Sequence, residues 1–191
     1  MTSDVLISQL QKAGWSEFGP GDFLGVEFDA VGKARVARNN WFVLLKSIPV
    51  LDVAGIDTWS DHYARFHKRA DAGMFRSGKY FILILLVDTI GAGALERFSE
   101  GPPSFLEDSE LIARGGGYVI VVVKDRKRVL MPDEITLWDM VQATQFVGRT
   151  HGAVADYLNA ISPGESDSED RRSQGFGTIL TKRYGHRDWH K

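Results

Sequence analysis

Residues 80–90 read YFILILLVDTI, eight apolar or aromatic positions in a row before Asp88 interrupts them. The run is far shorter than the ~20 residues of a membrane span, and it predicts a strand with no wet side. A strand apolar on both faces needs cover on both, which is the situation of a central strand in a helix-flanked sheet. Residues 118–123 (YVIVVV) form a second buried strand, entered through Gly115, Gly116 and Gly117. Ile84 and Val121 should therefore be buried in neighbouring strands. Upstream, residues 41–48 (WFVLLKSI) make a third strand, ended by Pro49, which has no N–H to give to a ladder.

Helical periods frame these strands. Val5, Leu6, Leu10 and Ala13 recur at helical spacing behind the capping residues Thr2, Ser3 and Asp4. They predict a helix over 3–13, stopped by Gly14, with Trp15 packed back on it. Gly19-Pro20-Gly21 reads as a turn. Residues 23–31 form a strand antiparallel to 41–48, with a turn region at Gly32-Lys33 and a further short strand at 35–38. Asp57 or Thr58 caps a second helix running to Ala72, with Trp59, Tyr63 and Phe66 on its apolar face and Gly73 and Gly78 at its exit. Residues 91–114 are a long connection with a short helix near 105–112. After a charged tip at 125–127, residues 128–131 return as a hairpin partner. A final helix spans 136–160, with Gly148 and Gly152 as kink points. Residues 163–177 hold few apolar side chains to offset the entropy of ordering. The expected architecture is one α/β (α+β) domain over 1–162, a single mixed sheet of about five strands flanked by helices. A polar, flexible tail over 163–191 follows it.

Composition narrows the functional classes. The chain is 43% hydrophobic, with eleven Phe and five Trp, enough to build a real core. A net charge of −2 gives no global basic field to draw in nucleic acid. Cysteine is absent, which excludes disulfides and thiolate metal sites within the chain and points to a reducing, cytoplasmic home. Residues 1–14 lack the basic start and apolar run of a secretory signal, and no membrane partner is expected.

The first candidate site pairs Glu27 and Asp29, two apart on one strand, with Lys46 on the next. Residues two apart share a face. Two carboxylates and a lysine on a sheet can hold a divalent cation and orient an attacking water; on a solvated face they are ordinary surface charges. Helix, antiparallel hairpin with an acid, strand with a lysine, helix, strand: over residues 3–90 this order resembles the restriction-endonuclease-like fold of the PD-(D/E)xK nucleases. The resemblance implies metal-dependent phosphodiester hydrolysis. Asp29 would take the place of the first aspartate and Lys46 that of the lysine, with Mg²⁺ or Mn²⁺ held by Asp29 and Glu27. The acid of the second motif, however, falls on Leu44, and the first helix has no glutamate.

Other constellations are weaker. Arg65, Lys68 and Arg69 share one helical face and could touch phosphates, although Asp61 and Asp71 dilute their field. His62 and His67 diverge on a helix, and His151 stands alone on the last one. The tip at 124–128 is basic and the segment 96–110 is acidic, an opposition that allows docking of a partner or self-association. The leading expectation is a non-catalytic binding or regulatory module for a protein or nucleic-acid partner, on a degenerate nuclease-like fold. The alternatives are a divalent-metal-dependent nuclease using Glu27, Asp29 and Lys46, and a small-molecule-binding domain implied by the aromatic content.

Overall fold

The computed structural model of the chain describes residues 2–36, 38–71, 79–101, 103–107, 109–111, 115–138, 141–161 and 178–182. Helix α1 (Thr2–Ala13) leads into an antiparallel meander of β1 (Ser16–Phe23), β2 (Val26–Val36) and β3 (Asn39–Leu51). Helix α2 (Val53–Asp71) then crosses over to β4 (Lys79–Ile90), which lies parallel to β3. Helix α3 (Ala92–Glu100), a 3-10 turn (Ser104–Leu106) and the short β5 (Ser109–Leu111) precede β6 (Gly115–Val123), parallel to β4. Next come β7 (Arg128–Leu130), β8 (Glu134–Trp138), α4 (Val141–Ala160) and β9 (Thr178–Lys182). The main sheet is mixed, with six strands in the order β1-β2-β3-β4-β6-β7; β5, β8 and β9 form a separate parallel sheet.

The apolar run that predicted a central strand occupies that place. Tyr80, Ile82, Ile84 and Leu86 point to one core with α1, α4, β5 and β8. Phe81, Leu83, Leu85 and Val87 point to a second core with α2, α3 and the 3-10 turn. Strand β6 alternates in the same way, so Ile84 and Val121 are both buried in adjacent strands, on opposite faces. Trp15 returns onto α1 through its N–H to the Leu10 carbonyl, and its indole N–H donates to Thr150 Oγ1 at 3.0 Å.

Several local expectations are corrected. The sheet has six strands rather than about five, because 16–23, read as loop and turn, is an edge strand. Its two aromatic residues, Phe18 and Phe23, are five apart and show no strand period, and ladder bonds to β2 hold it. Gly32-Lys33 is no turn: β2 runs through it, squeezed so that a Cβ on Gly32 would lie 2.6 Å from the Phe18 ring and 2.8 Å from Val43. Pro49 does not end β3, which continues to Leu51. The cap of α2 is Asp52, whose Oδ1 accepts from Gly55 N at 2.7 Å, not Asp57 or Thr58. Helix α3 occupies part of the long connection, while the described residues from 105 to 111 hold a 3-10 turn and β5 where a helix was expected. The last helix starts at Val141 and runs through Gly148 and Gly152 unbroken, since β8 claims 134–138. The three glycines belong to β6 itself, all buried; a Cβ on Gly117 would lie 2.5 Å from the Phe81 ring of β4. Within the segment read as a tail, β9 pairs with β8 beside α4. Gly73, Gly78 and residues 163–177 lie outside the described residues. No helix among the described residues is long and apolar enough to cross a membrane.

Candidate functional site

The β2 strand changes sides at Asp29. Ala30 belongs to the α1/α4 core and Phe28 to the α2/α3 core, although residues two apart on a regular strand share a face. The register gives the reason. Between the pairs Gly19↔Val31 and Gly21↔Phe28, β2 advances one residue more than β1, which places a bulge at Asp29 and Ala30 opposite Pro20. The ladder to β3 stops at Ala30↔Leu45, one residue short of Asp29. Beyond the bulge the β1–β2 hairpin bends as an arm over the α2 side of the sheet. Phe28 reaches Trp59 and Phe66 with ring centroids 6.2 and 6.1 Å away, and Phe23 at the arm's end reaches Phe66 at 5.1 Å.

Asp29 and Lys46 do converge. Asp29 Oδ2 accepts from the Ser47 backbone N–H at 2.6 Å, serving a donor where the regular ladder to β2 has stopped. Its other oxygen lies 3.8 Å from Lys46 Nζ. Lys46 shares the parity of Phe42, Leu44 and Ile48, so it stands on the α2 side, and its ammonium donates to the Glu27 carbonyl at 3.1 Å. Glu27 thus meets Lys46 through its backbone, while its side chain is exposed. Together these contacts form a clasp that fastens the base of the arm to β3. The ion pair is partly solvated, which limits it to about 1 kcal/mol or less; the charge-assisted bond to Ser47 is the stronger element.

A divalent cation fits this set poorly. Leu44, at the position where the resemblance requires an acid, has no solvent exposure and sits in the α2/α3 core. Asp29 already accepts from Ser47 and pairs with Lys46, and an ammonium 3.8 Å from the same carboxylate repels a cation. Among the described residues no group of three or more His, Asp or Glu could hold a metal. No metal-assisted step follows from this geometry.

The basic face is present but mixed. Arg65, Lys68 and Arg69 are all exposed on α2. Arg65 Nη2 lies 2.6 Å from His62 Nδ1, which accepts the bond in its neutral form. Burial, and then the Arg65 charge, pulls His62 below the ordinary imidazole range, with Asp61 opposing. His67 turns to Tyr63 instead, so His62 and His67 form no pair. At the basic tip, Lys124 pairs with Asp88 at the end of β4.

One polar pair had no signal in the sequence. His151 on α4 is buried, with Nε2 2.9 Å from Tyr118 Oη on β6. Burial pushes the tyrosine well above its usual range and the histidine down to about 4. Tyr118 therefore stays protonated and donates, and the neutral imidazole accepts. A lone histidine on a helix and a tyrosine 33 residues earlier show no common period; only the packing of α4 on β6 brings them together. Comparison of the chain with protein-family models, characterised proteins and solved structures finds no match.

Proposed function

We propose that the chain is a non-catalytic binding module on a restriction-endonuclease-like scaffold. The order α1, antiparallel β1-β2-β3, crossover helix α2 and parallel β4 supports the scaffold, as do an aspartate and a lysine on adjacent strands β2 and β3. The observation that carries the loss of catalysis is Leu44: fully buried, it turns the would-be metal ligand into core, and the two remaining motif residues serve as a clasp. A nuclease of this kind needs at least two oxygen ligands beside the scissile phosphate. The exposed Arg65, Lys68 and Arg69 on α2 support a nucleic-acid partner engaged through phosphates. A protein partner is the alternative, favoured by the acid and histidine interspersed on the same face.

Two assays test the reading. Purified protein with Mg²⁺ or Mn²⁺ should cleave neither single- nor double-stranded DNA or RNA. Cleavage that disappears in folded Asp29→Ala and Lys46→Ala variants would establish the nuclease instead. Fluorescence anisotropy with labelled oligonucleotides should show binding that weakens steeply with salt, because phosphate contacts release counterions. Reversing Arg65, Lys68 and Arg69 to Glu should abolish it. Absence of any oligonucleotide binding would move the partner to the protein class, to be sought by pull-down.

A further inference from the structure

We propose that the cavity beneath the tip of the β1–β2 arm is a binding site for a small aromatic carboxylate. The inference stands apart from the reading of Asp29 and Lys46. The cavity measures about 210 Å³ and lies among Phe23 and Leu24 of the arm, Phe42 of β3, Phe81 of β4, Arg69 near the end of α2 and Lys79 at the start of β4. An apolar cavity of about 150 Å³ already admits a benzene ring, so this one has room for a ring with a short substituent.

The wall chemistry selects the ligand. Among the described residues, the charged side chains lining the cavity are Arg69 and Lys79, both cationic, with no Asp or Glu beside them. Neither cation has an ion-pair partner among the described residues. Two cations beside an apolar chamber call for one anionic group at the end of an apolar body, and a guanidinium matches a carboxylate with two parallel hydrogen bonds. Three phenylalanines, Phe23, Phe42 and Phe81, also line it. Phe23 lies 6.0 Å from Phe42 and 6.4 Å from Phe81, both tilted, an arrangement that offers faces and edges to a further ring. A nucleobase fits less well, because its several polar edge atoms would lose water and find few partners in such walls.

The arm tip supplies an independent sign. Leu24 and Gly25 form a two-residue hairpin turn with φ of 53° and 80°, pinned by Gly25 N–H donating to Asp22 Oδ1 at 3.1 Å. Turns with both central residues at positive φ favour Asn, Asp and Gly. A leucine there is strained, and its side chain is 42% exposed at the lip of the cavity. An apolar residue kept in an unfavourable conformation, half in water, is explained if it closes over an apolar guest.

The test uses the full chain and 3-phenylpropionate, titrated by calorimetry and by NMR shifts. Saturable binding is expected in the micromolar to millimolar range, with the uncharged 3-phenylpropionamide at least about tenfold weaker. Arg69→Gln and Lys79→Gln should each weaken the carboxylate by roughly tenfold without changing the melting temperature. Leu24→Asn relieves the turn, so it should melt at the same or a higher temperature and yet bind more weakly. Inorganic phosphate should not compete, because it has no apolar body to fill the chamber. No binding at about 10 mM ligand, equal affinity for the amide, or tighter binding of octanoate than of the aryl acid would overturn the proposal.

Discussion

Protonation of His151 should unfasten the core, and the size of the effect follows from its surroundings. The imidazole is 7% exposed and accepts from Tyr118 Oη at 2.9 Å. Burial holds it at about 4, below the 6.5 of a free histidine. The unfolded chain therefore binds a proton more readily than the folded one. The stability contribution is complete above pH 6.5 and is lost progressively as pH falls toward 4, below which it no longer changes. Between pH 7 and pH 5 the loss amounts to about 2 kcal/mol, a large part of the roughly 5–15 kcal/mol that holds a domain together. Urea unfolding followed by tryptophan fluorescence at both pH values measures it. His151→Gln keeps a neutral hydrogen-bonding group beside Tyr118 and removes the titration, so the variant should lose about 2 kcal/mol less than the natural chain over that interval. The difference between the two proteins cancels the carboxylates common to both. Equal losses in the two would refute the assignment of a buried, neutral imidazole.

Ile84→Asp places an unpaired carboxylate at a fully buried position of the central strand, and it should abolish cooperative folding; a soluble variant with a sharp melt would contradict the β4 assignment. Gly117→Ala brings a methyl 2.5 Å from the Phe81 ring and should cost about 1–3 kcal/mol in urea unfolding, where an unchanged midpoint would show that the ring moves freely. Asp29→Ala leaves the Ser47 N–H without its acceptor and should cost about 1 kcal/mol or more, whereas Lys46→Ala should cost less than about 1 kcal/mol; the reverse ranking would refute the clasp as described. Ending the chain at Ser162 removes β9 from β8 and should lower the melting temperature by several degrees, at about 2–4 °C per kcal/mol. Coincident melts of the two lengths would show that the strand adds nothing.

What could be read from the sequence was what local chemistry decides by itself. The runs at 80–87 and 118–123 could be nothing but buried strands, and the spacing of Leu6 and Leu10 behind Ser3 fixed α1. Strand β1 escaped because Ser16–Phe23 (SEFGPGDF) has no apolar period; it exists through its ladder to β2, a tertiary cause. Strand β8 is not legible because Leu137, Met140 and Val141 also suit the period of a helix starting at Thr136. For the site, adjacency of Asp29 and Lys46 followed from pairing two neighbouring strands. Their service to the Ser47 N–H and the Glu27 carbonyl depends on a bulge opposite Pro20, which no alternation pattern announces. The cavity lining draws on β1, α2, β3 and β4 at once, together with the turn after β1, and so has no linear signature.

The irregularities of β1 have a consequence for the chain among its own copies. An open sheet ends in unpaired N–H and C=O groups that can recruit a strand from another molecule and grow into aggregates. On one border of the main sheet that row is interrupted twice by register shifts, includes Glu17 at a φ of 54°, and lacks a donor at Pro20. The opposite border is β7, three residues long and opened by Arg128. Neither offers the long, flat template that edge-to-edge growth requires. The run at 80–87, which has the composition of a fibril-forming segment, is thereby kept internal in each folded copy, and the most dangerous stretch of the chain is guarded by its least regular strand.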